Sequence, residues 1–234
     1  MPPAHADLPP ERVDAGPVVL RRIRSTDAGA VAAAVAGSLD HLRPWMPWAT
    51  PDSADRRSQL ARVAEADEMW ESGISYIYSV LTADHGTLVG EIGLHRRGGD
   101  VIEPEGRGAA WTDERGTSEE RRRRLKSALQ ASRGHSIEIG YWIAGSQTRR
   151  GFATSAAAAI TEVALALPGV RRVEIHCDEA NTASAAIPRK LGYRLDHVEV
   201  RKPEAPGESG RLMIWVRDHA APPDPEPEPS GSGR

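Results

Sequence analysis

Ser136-Ile137-Glu138-Ile139-Gly140-Tyr141-Trp142-Ile143, followed closely by Thr148-Arg149-Arg150-Gly151-Phe152-Ala153-Thr154, is the stretch that decides the fold. The first run reads as a strand, and the second opens an alanine-rich helix. A strand that stops at a turn and restarts as a helix leaves backbone N–H groups unpaired at the helix start, where the positive end of the dipole also lies. That makes a phosphate seat. Gly151 has no Cβ and Ala153 has only a methyl, so phosphates can approach the main chain, while Arg149, Arg150 and Thr154 add charge and a hydroxyl. An ordinary strand-loop-helix with solvated arginines would carry the same seven residues, so the context decides.

Downstream, Ala156, Ile160, Val163, Ala164 and Leu167 recur at helical spacing until Pro168-Gly169, and Val173, Ile175 and Cys177 then alternate as in a strand. Asp178-Glu179-Ala180-Asn181-Thr182-Ala183-Ser184 follows, and a short helix closes with Lys190-Leu191-Gly192-Tyr193. This order resembles the Gcn5-related N-acetyltransferase (GNAT) superfamily, with its strand, pyrophosphate loop of the form Gln/Arg-x-x-Gly-x-Gly/Ala, helix, strand, and Asn-x-x-Ser helix ending in Leu-Gly-Phe/Tyr. Glu138 to Ile143 and the early Leu42-Arg43-Pro44-Trp45-Met46-Pro47-Trp48 are similar to the RimJ/RimL branch, which acetylates N-termini of ribosomal proteins. Thr148 stands where Gln or Arg is usual, and Arg149 where glycine is common.

The resemblance implies an α+β fold: a mixed, mainly antiparallel central sheet, splayed near Gly140 to Ile143 where the cofactor thioester lies, with helices on both faces. It implies acetyl-CoA as donor and a primary amine as acceptor. Cofactor contacts are expected from Tyr141, Trp142, Ile143, Thr148, Arg149, Arg150, Gly151, Phe152, Ala153, Thr154, Asn181 and Ser184, and Asn181 equally suits a plain helix cap. Many acetyltransferases use a tyrosine to protonate the leaving thiolate. The matching position here is Ser184, and the resemblance implies that use. Pro188 lacks an N–H and leaves the carbonyl of Ser184 without its helical partner.

Acetyl transfer needs a deprotonated amine, a polarised carbonyl and a proton for the thiolate. On an extended strand Glu138, Gly140 and Trp142 share one face, and Ile137, Ile139 and Tyr141 the other. Glu138 is thus a carboxylate on an otherwise apolar strand with glycine beside it, and is the first choice for the base, acting through water because an ammonium is far more basic than a carboxylate. Its alternative role is to pair with a basic neighbour. Glu91, with Gly93 and His95 on its face, and His197 are rivals. Glu91, His95, Trp45 and Trp48 are expected to line the acceptor site, since prolines beside the tryptophans argue against a regular buried helix. Cys177 reads as a small buried hydrophobe rather than a nucleophile. The eight histidines show no metal-ligand spacing, so no metal is expected.

A chain of 234 residues with a net charge of −3 suits an enzyme-sized domain without a basic footprint, so no membrane partner and no direct nucleic acid are expected. A single cysteine fits a reducing compartment, and neither a signal peptide nor a membrane-spanning run is visible, which points to the cytoplasm. A homodimer is compatible with the sequence and not required by it. Residues 1–16 and 220–234 read as disordered, leaving the acetyltransferase domain at 17–219. Within it, strands are expected at Val18 to Ile23, Ile74 to Leu81, Leu88 to His95, Arg194 to Arg201 and Arg211 to Arg217. Thr26-Asp27 are expected to cap a helix carrying Val31, Val35 and Leu39, and a second helix is expected to begin around Ser53-Ala54-Asp55. Residues 96–135 form a long insertion; Ser118 to Ser132 suits a capped surface helix, and the segment is either a solvated charge run, or a lid or ribosomal-RNA patch. Transfer to a small molecule such as an antibiotic or polyamine, and a degenerate acyl-CoA-binding regulatory protein, are the alternatives to protein N-terminal acetylation.

Overall fold

The computed structural model describes residues 8–96 and 136–219. Eight strands, β1 (Arg12–Ala15), β2 (Val18–Arg22), β3 (Ser75–Thr82), β4 (Leu88–Arg96), β5 (Ser136–Ile143), β6 (Arg172–Asp178), β7 (Arg194–Val200) and β8 (Arg211–Asp218), form one sheet in the order β1-β2-β3-β4-β5-β6-β8-β7. The helices are α1 (Ala28–Ala36), α2 (Leu39–Leu42), α3 (Arg56–Glu71), α4 (Phe152–Ala166) and α5 (Thr182–Lys190). Among the described residues β5–β6 is the one parallel pair, and its connection carries α4, as a parallel crossover requires.

The two faces follow from strand alternation. Leu20, Tyr78, Ile92, Leu94, Ile137, Ile139 and Ile175 meet Ile160 of α4 and Ile187 of α5 in one apolar cluster. On the other face Ile77 and Trp142 join Val31 and Val35 of α1 and Val63 of α3. Glu91, Gly93 and His95 of β4 lie opposite Trp142, Gly140 and Glu138 of β5, so Glu91, His95 and Glu138 share the face turned to α1 and α3.

The pairing of β5 with β6 stops early. Only Ser136↔Arg172, Ile137↔Val173 and Glu138↔Glu174 are in register, yet β5 continues beside β4 to Ile143 and β6 beside β8 to Asp178. The two halves of the sheet therefore separate like a V whose apex is Glu138/Glu174. This is the expected splay, beginning two residues before Gly140.

Three expectations need correction. Residues 8–16 are not loose, because Arg12–Ala15 pairs with β2 across a turn at Gly16 (φ 66°). Four residues beside prolines carry too little alternation to announce a strand. Asp27 does not cap α1; its carboxylate accepts from the Arg24 backbone N–H at 2.9 Å, the Ser79 hydroxyl at 3.0 Å and Arg21 at 2.7 Å, while Asp55 does cap α3 through Ser58 N at 3.0 Å. Leu39 belongs to the separate turn α2 rather than to α1. The insertion beyond Arg96, with its expected helix at Ser118 to Ser132, and the terminal segments 1–7 and 220–234 lie outside the described residues.

Candidate active site

Between β5 and α4 the chain makes one 3-10 turn, Gly145–Gln147, and then two consecutive excursions to positive φ. Arg149 sits at φ 60° and Gly151 at φ 81°. Gly151 is the N-cap of α4 and offers no side-chain acceptor, so the first N–H groups of a long helix meet no protein cap. The Thr148 hydroxyl donates to the Gly145 carbonyl at 3.1 Å and so steadies the loop. Arg150 pairs with Gln147 and stacks 4.6 Å over the Phe152 ring, while Arg149 and Arg150 are both exposed. Free amides, two exposed guanidiniums and no Cβ at position 151 fit a pyrophosphate.

The edge of β5 that faces the V carries no strand partner beyond Glu138. Ala144 N–H donates to Val89 O at 2.8 Å, so by alternation the main-chain groups of Trp142 also turn to β4, and those of Ile139, Tyr141 and Ile143 turn to the opening. An extended, amide-bearing cofactor arm fits that edge. Trp142 does not share in it: its side chain lies on the α1–α3 face, edge-on to Trp48 with ring centroids 5.9 Å apart. Across the opening, the Tyr141 hydroxyl lies 3.2 Å from Ser184 Oγ and donates to the Ser184 carbonyl at 3.3 Å. That carbonyl is available because Pro188 supplies no helical N–H. Asn181 caps α5 by accepting from Ser184 N at 3.1 Å. Burial pushes the Tyr141 phenol above its ordinary value and the Cys177 thiol up to about 11, although Ser184 and Trp215 pull the thiol the other way. A thiol that resists ionisation is a poor nucleophile.

On the α1–α3 side of the apex, Glu138 is 7 % exposed and lies beside Glu174 on the parallel pair. His176 stands between them, with Nδ1 3.3 Å from Glu138 Oε2 and Nε2 2.7 Å from Glu174 Oε2. Burial would raise the Glu174 carboxyl, and the Glu138 charge adds to that, but the hydrogen bonds from His176 and Ser136 and the His176 charge outweigh both and hold it below its usual value. His95, the cross-strand partner of Glu138, bonds Ser75 Oγ through Nδ1 at 2.9 Å. Its ring leans over Gly93, where a Cβ would come within 2.9 Å of Nε2. Glycine at 93 therefore makes room for an imidazole beside the apex.

Glu91 is committed elsewhere, accepting from Arg62 of α3 and from Trp142 Nε1 at 3.1 Å. It fixes the Trp142 ring and with it the wall built by Trp48; Trp45 is half-buried and outside that cluster. His197 lies on β7, separated from β5 by two strands, and is paired with Asp196 and Glu199. The structure thus brings Glu138, His95 and Ser184 to the V and leaves His197 apart. Arg62, Glu174 and His176 escaped the sequence reading. Glu174 and His176 alternate with Val173, Ile175 and Cys177, and two titratable residues on one face of a core strand were the available signal.

Comparison with known proteins agrees with this geometry. A family model described as an acetyltransferase (GNAT) domain matches residues 18–194. No curated protein matches the sequence. Among solved structures, the ribosomal L7/L12 α-N-protein acetyltransferase RimL in complex with coenzyme A is 16 % identical, with a TM-score of 0.67 over 89 % of this chain and 98 % of that one. Mycobacterium smegmatis RimJ in complex with CoA-disulfide is 22 % identical, with a TM-score of 0.67 over 93 % and 90 %. The microcin C7 self-immunity acetyltransferase MccE in complex with acetyl-CoA and AMP is 13 % identical, with a TM-score of 0.67 over 91 % and 99 %. The splayed sheet, the uncapped helix behind a glycine turn and the family match over most of the chain lead to one conclusion: this chain belongs to the GNAT acetyltransferase family, the acetyl-CoA-dependent N-acetyltransferases.

Proposed function

We propose that the protein acetylates the N-terminal amine of a protein acceptor, with Glu138 as general base and Ser184 as proton donor to the leaving sulfur. The observation that carries this reading is the division of chemistry across the V. A carboxylate–imidazole cluster lies on the α1–α3 face at the apex, and a paired hydroxyl lies on the α4–α5 face. Acetyl-CoA bound along β5 and the start of α4 supplies the thioester. The amine approaches from the α1–α3 face, and Glu138 takes its proton, through a water where the geometry requires one. The attacking nitrogen forms the new C–N bond as the C–S bond breaks; the Ser184 hydroxyl, hydrogen-bonded with Tyr141, passes its proton to sulfur as it takes one from solvent, and Glu138 returns the amine's proton to solvent. His176 bridges Glu138 and Glu174 and so holds the Glu138 carboxylate in place at the apex.

The structural likeness to RimL and RimJ favours a protein N-terminus as acceptor. An equal TM-score to MccE supports a second reading, transfer to a small-molecule amine. Thiol release from acetyl-CoA, measured against N-terminal peptides of ribosomal proteins, polyamines and aminoglycosides, separates the two. Preferred turnover of a peptide supports the first reading, preferred turnover of a small amine the second, and CoA binding without turnover of any amine defeats both.

A further inference from the structure

Among the described residues, the turn that fits the pyrophosphate is tied to a distant part of the chain by one hydrogen bond. Gly145 N–H, at its start, donates to Ser38 Oγ at 3.0 Å. The other hydrogen bonds of residues 145–151 stay within the turn or enter α4. Gln147 N–H donates to the Ala144 carbonyl, the Thr148 hydroxyl to the Gly145 carbonyl, Arg150 to Gln147 Oε1, and Ser155 N–H to the Gly151 carbonyl.

Ser38 is 4 % exposed and lies at the corner between α1 and α2. Its main chain is held on both sides: the N–H donates to Val35 O at 2.9 Å, and the carbonyl accepts from His41 N at 3.0 Å and Leu42 N at 2.9 Å. A serine at the N-cap of a helix ordinarily turns its hydroxyl back to the first N–H groups of that helix. Ser38 is the N-cap of α2, yet its side chain makes no such bond. The hydroxyl is directed instead to a residue 107 positions away. The same corner meets the turn at a second point, since a Cβ at position 145 would come within 3.3 Å of His41 Cβ. Glycine there lets the corner close on the turn. The corner itself cannot drift, because Val35 and Leu42 on either side of it are buried with Trp142 and Ala144 at the end of β5.

We propose that Ser38 is a positioning residue for the acetyl-CoA donor, acting through Gly145. The turn contains two left-handed residues, Arg149 at φ 60° and Gly151 at φ 81°, and the first of these is strained. An anchor at the start of the turn keeps it in that conformation before a ligand arrives, so the first N–H groups of α4 are already in place for the phosphates. Without the anchor the Gly145 N–H loses its partner, the turn relaxes, and binding has to order it again. The proposal rests on the reading that this turn and the start of α4 take the pyrophosphate. It adds a determinant of cofactor affinity that belongs to the helical layer on the other side of the sheet from α4.

The test is Ser38→Ala, which removes the acceptor and keeps the main-chain bonds of the corner. Calorimetric titrations are made with CoA and with pantetheine, which carries the amide arm but no phosphate. The Kd for CoA should rise about tenfold, the equivalent of one hydrogen bond of ordinary size, while the Kd for pantetheine stays within about twofold. A merely structural role would weaken both ligands alike. An unchanged Kd for CoA, or an equal rise for the two ligands, would overturn the proposal. Arg149→Ala, titrated beside it, separates the two layers of the argument. If Arg149→Ala weakens CoA and Ser38→Ala does not, the anchor is refuted and the phosphate reading stands; if neither does, the phosphate reading has failed and the proposal falls with it. Should Ser38→Ala fail to fold, hydrogen exchange on the wild-type protein decides. The Gly145 amide should be protected in the free protein and more strongly protected with CoA, but not with pantetheine; an amide that exchanges freely, or that ignores CoA, refutes the anchor.

Discussion

Arg149 allows strain and cofactor binding to be separated in one residue. Its φ of 60° lies in the left-handed region, which costs a residue with a Cβ roughly 1–2 kcal/mol, and among the described residues it is the one non-glycine there. Arg149→Gly removes that cost but adds freedom to the unfolded chain worth about 0.5–1 kcal/mol. The net expectation is a protein unchanged or stabilised by up to about 1.5 kcal/mol, whereas Arg149→Ala keeps the strain and should be about 1 kcal/mol less stable than the glycine variant. For a chain of this size that difference is roughly 2–4 °C in melting temperature. The side chain is exposed beside the uncapped start of α4. Loss of its guanidinium should remove a charge-assisted hydrogen bond to phosphate worth about 1.5–3 kcal/mol, or roughly ten- to a hundredfold in the Kd for CoA, equally in both variants. Thermal melts with and without CoA, and calorimetric titration, read both effects. A glycine variant that melts well below wild type would refute the strain argument, and unaltered CoA affinity in both would remove Arg149 from the phosphate site.

Glu138→Gln should lower kcat by about 10² to 10⁴ while the Kd for CoA stays put, with the deficit shrinking at high pH where the acceptor amine is already free; a small loss that does not vary with pH would move the base elsewhere in the cluster. Ser184→Ala should reduce kcat without altering the shape of the pH profile, and Tyr141→Phe, which keeps the serine, should cost less; the reverse ranking would make Tyr141 the donor. Asp178 is held below the usual carboxylate range because backbone and hydroxyl donors at Ser209, Ala180 and Gly210 outweigh the burial that would raise it. A depressed folded pKa means that its stabilisation is present above the unfolded value and lost as pH falls through the folded one. Asp178→Ala should therefore cost about 2–4 kcal/mol near neutrality, and the gap to wild type, followed by denaturant unfolding, should close below about pH 4; a gap constant into acid would contradict the assignment.

What the sequence determined by itself is local. The alternation in β5, the glycine turn, the helical spacing through Ile160 and Ala164, the Asn181 cap and the proline that frees the Ser184 carbonyl are each written within a few neighbouring residues, and all are present in the structure. Alternation also placed Glu138, Gly140 and Trp142 on one face before any contact was known. The tertiary structure decided where β5 and β6 part, and with it which side chains meet. Glu138, Glu174 and His176 converge because the parallel register ends at their level, and Trp142 turns from the cofactor edge to Glu91 and Trp48 because its main chain is bound to β4. The commitment of Glu91 to Arg62, the pairing of β1 and the meeting of Ser38 with Gly145 are likewise agreements between distant segments. Register and strand separation are set by the combined packing of two helical layers on one sheet, a balance to which every element contributes and which no short run of residues encodes.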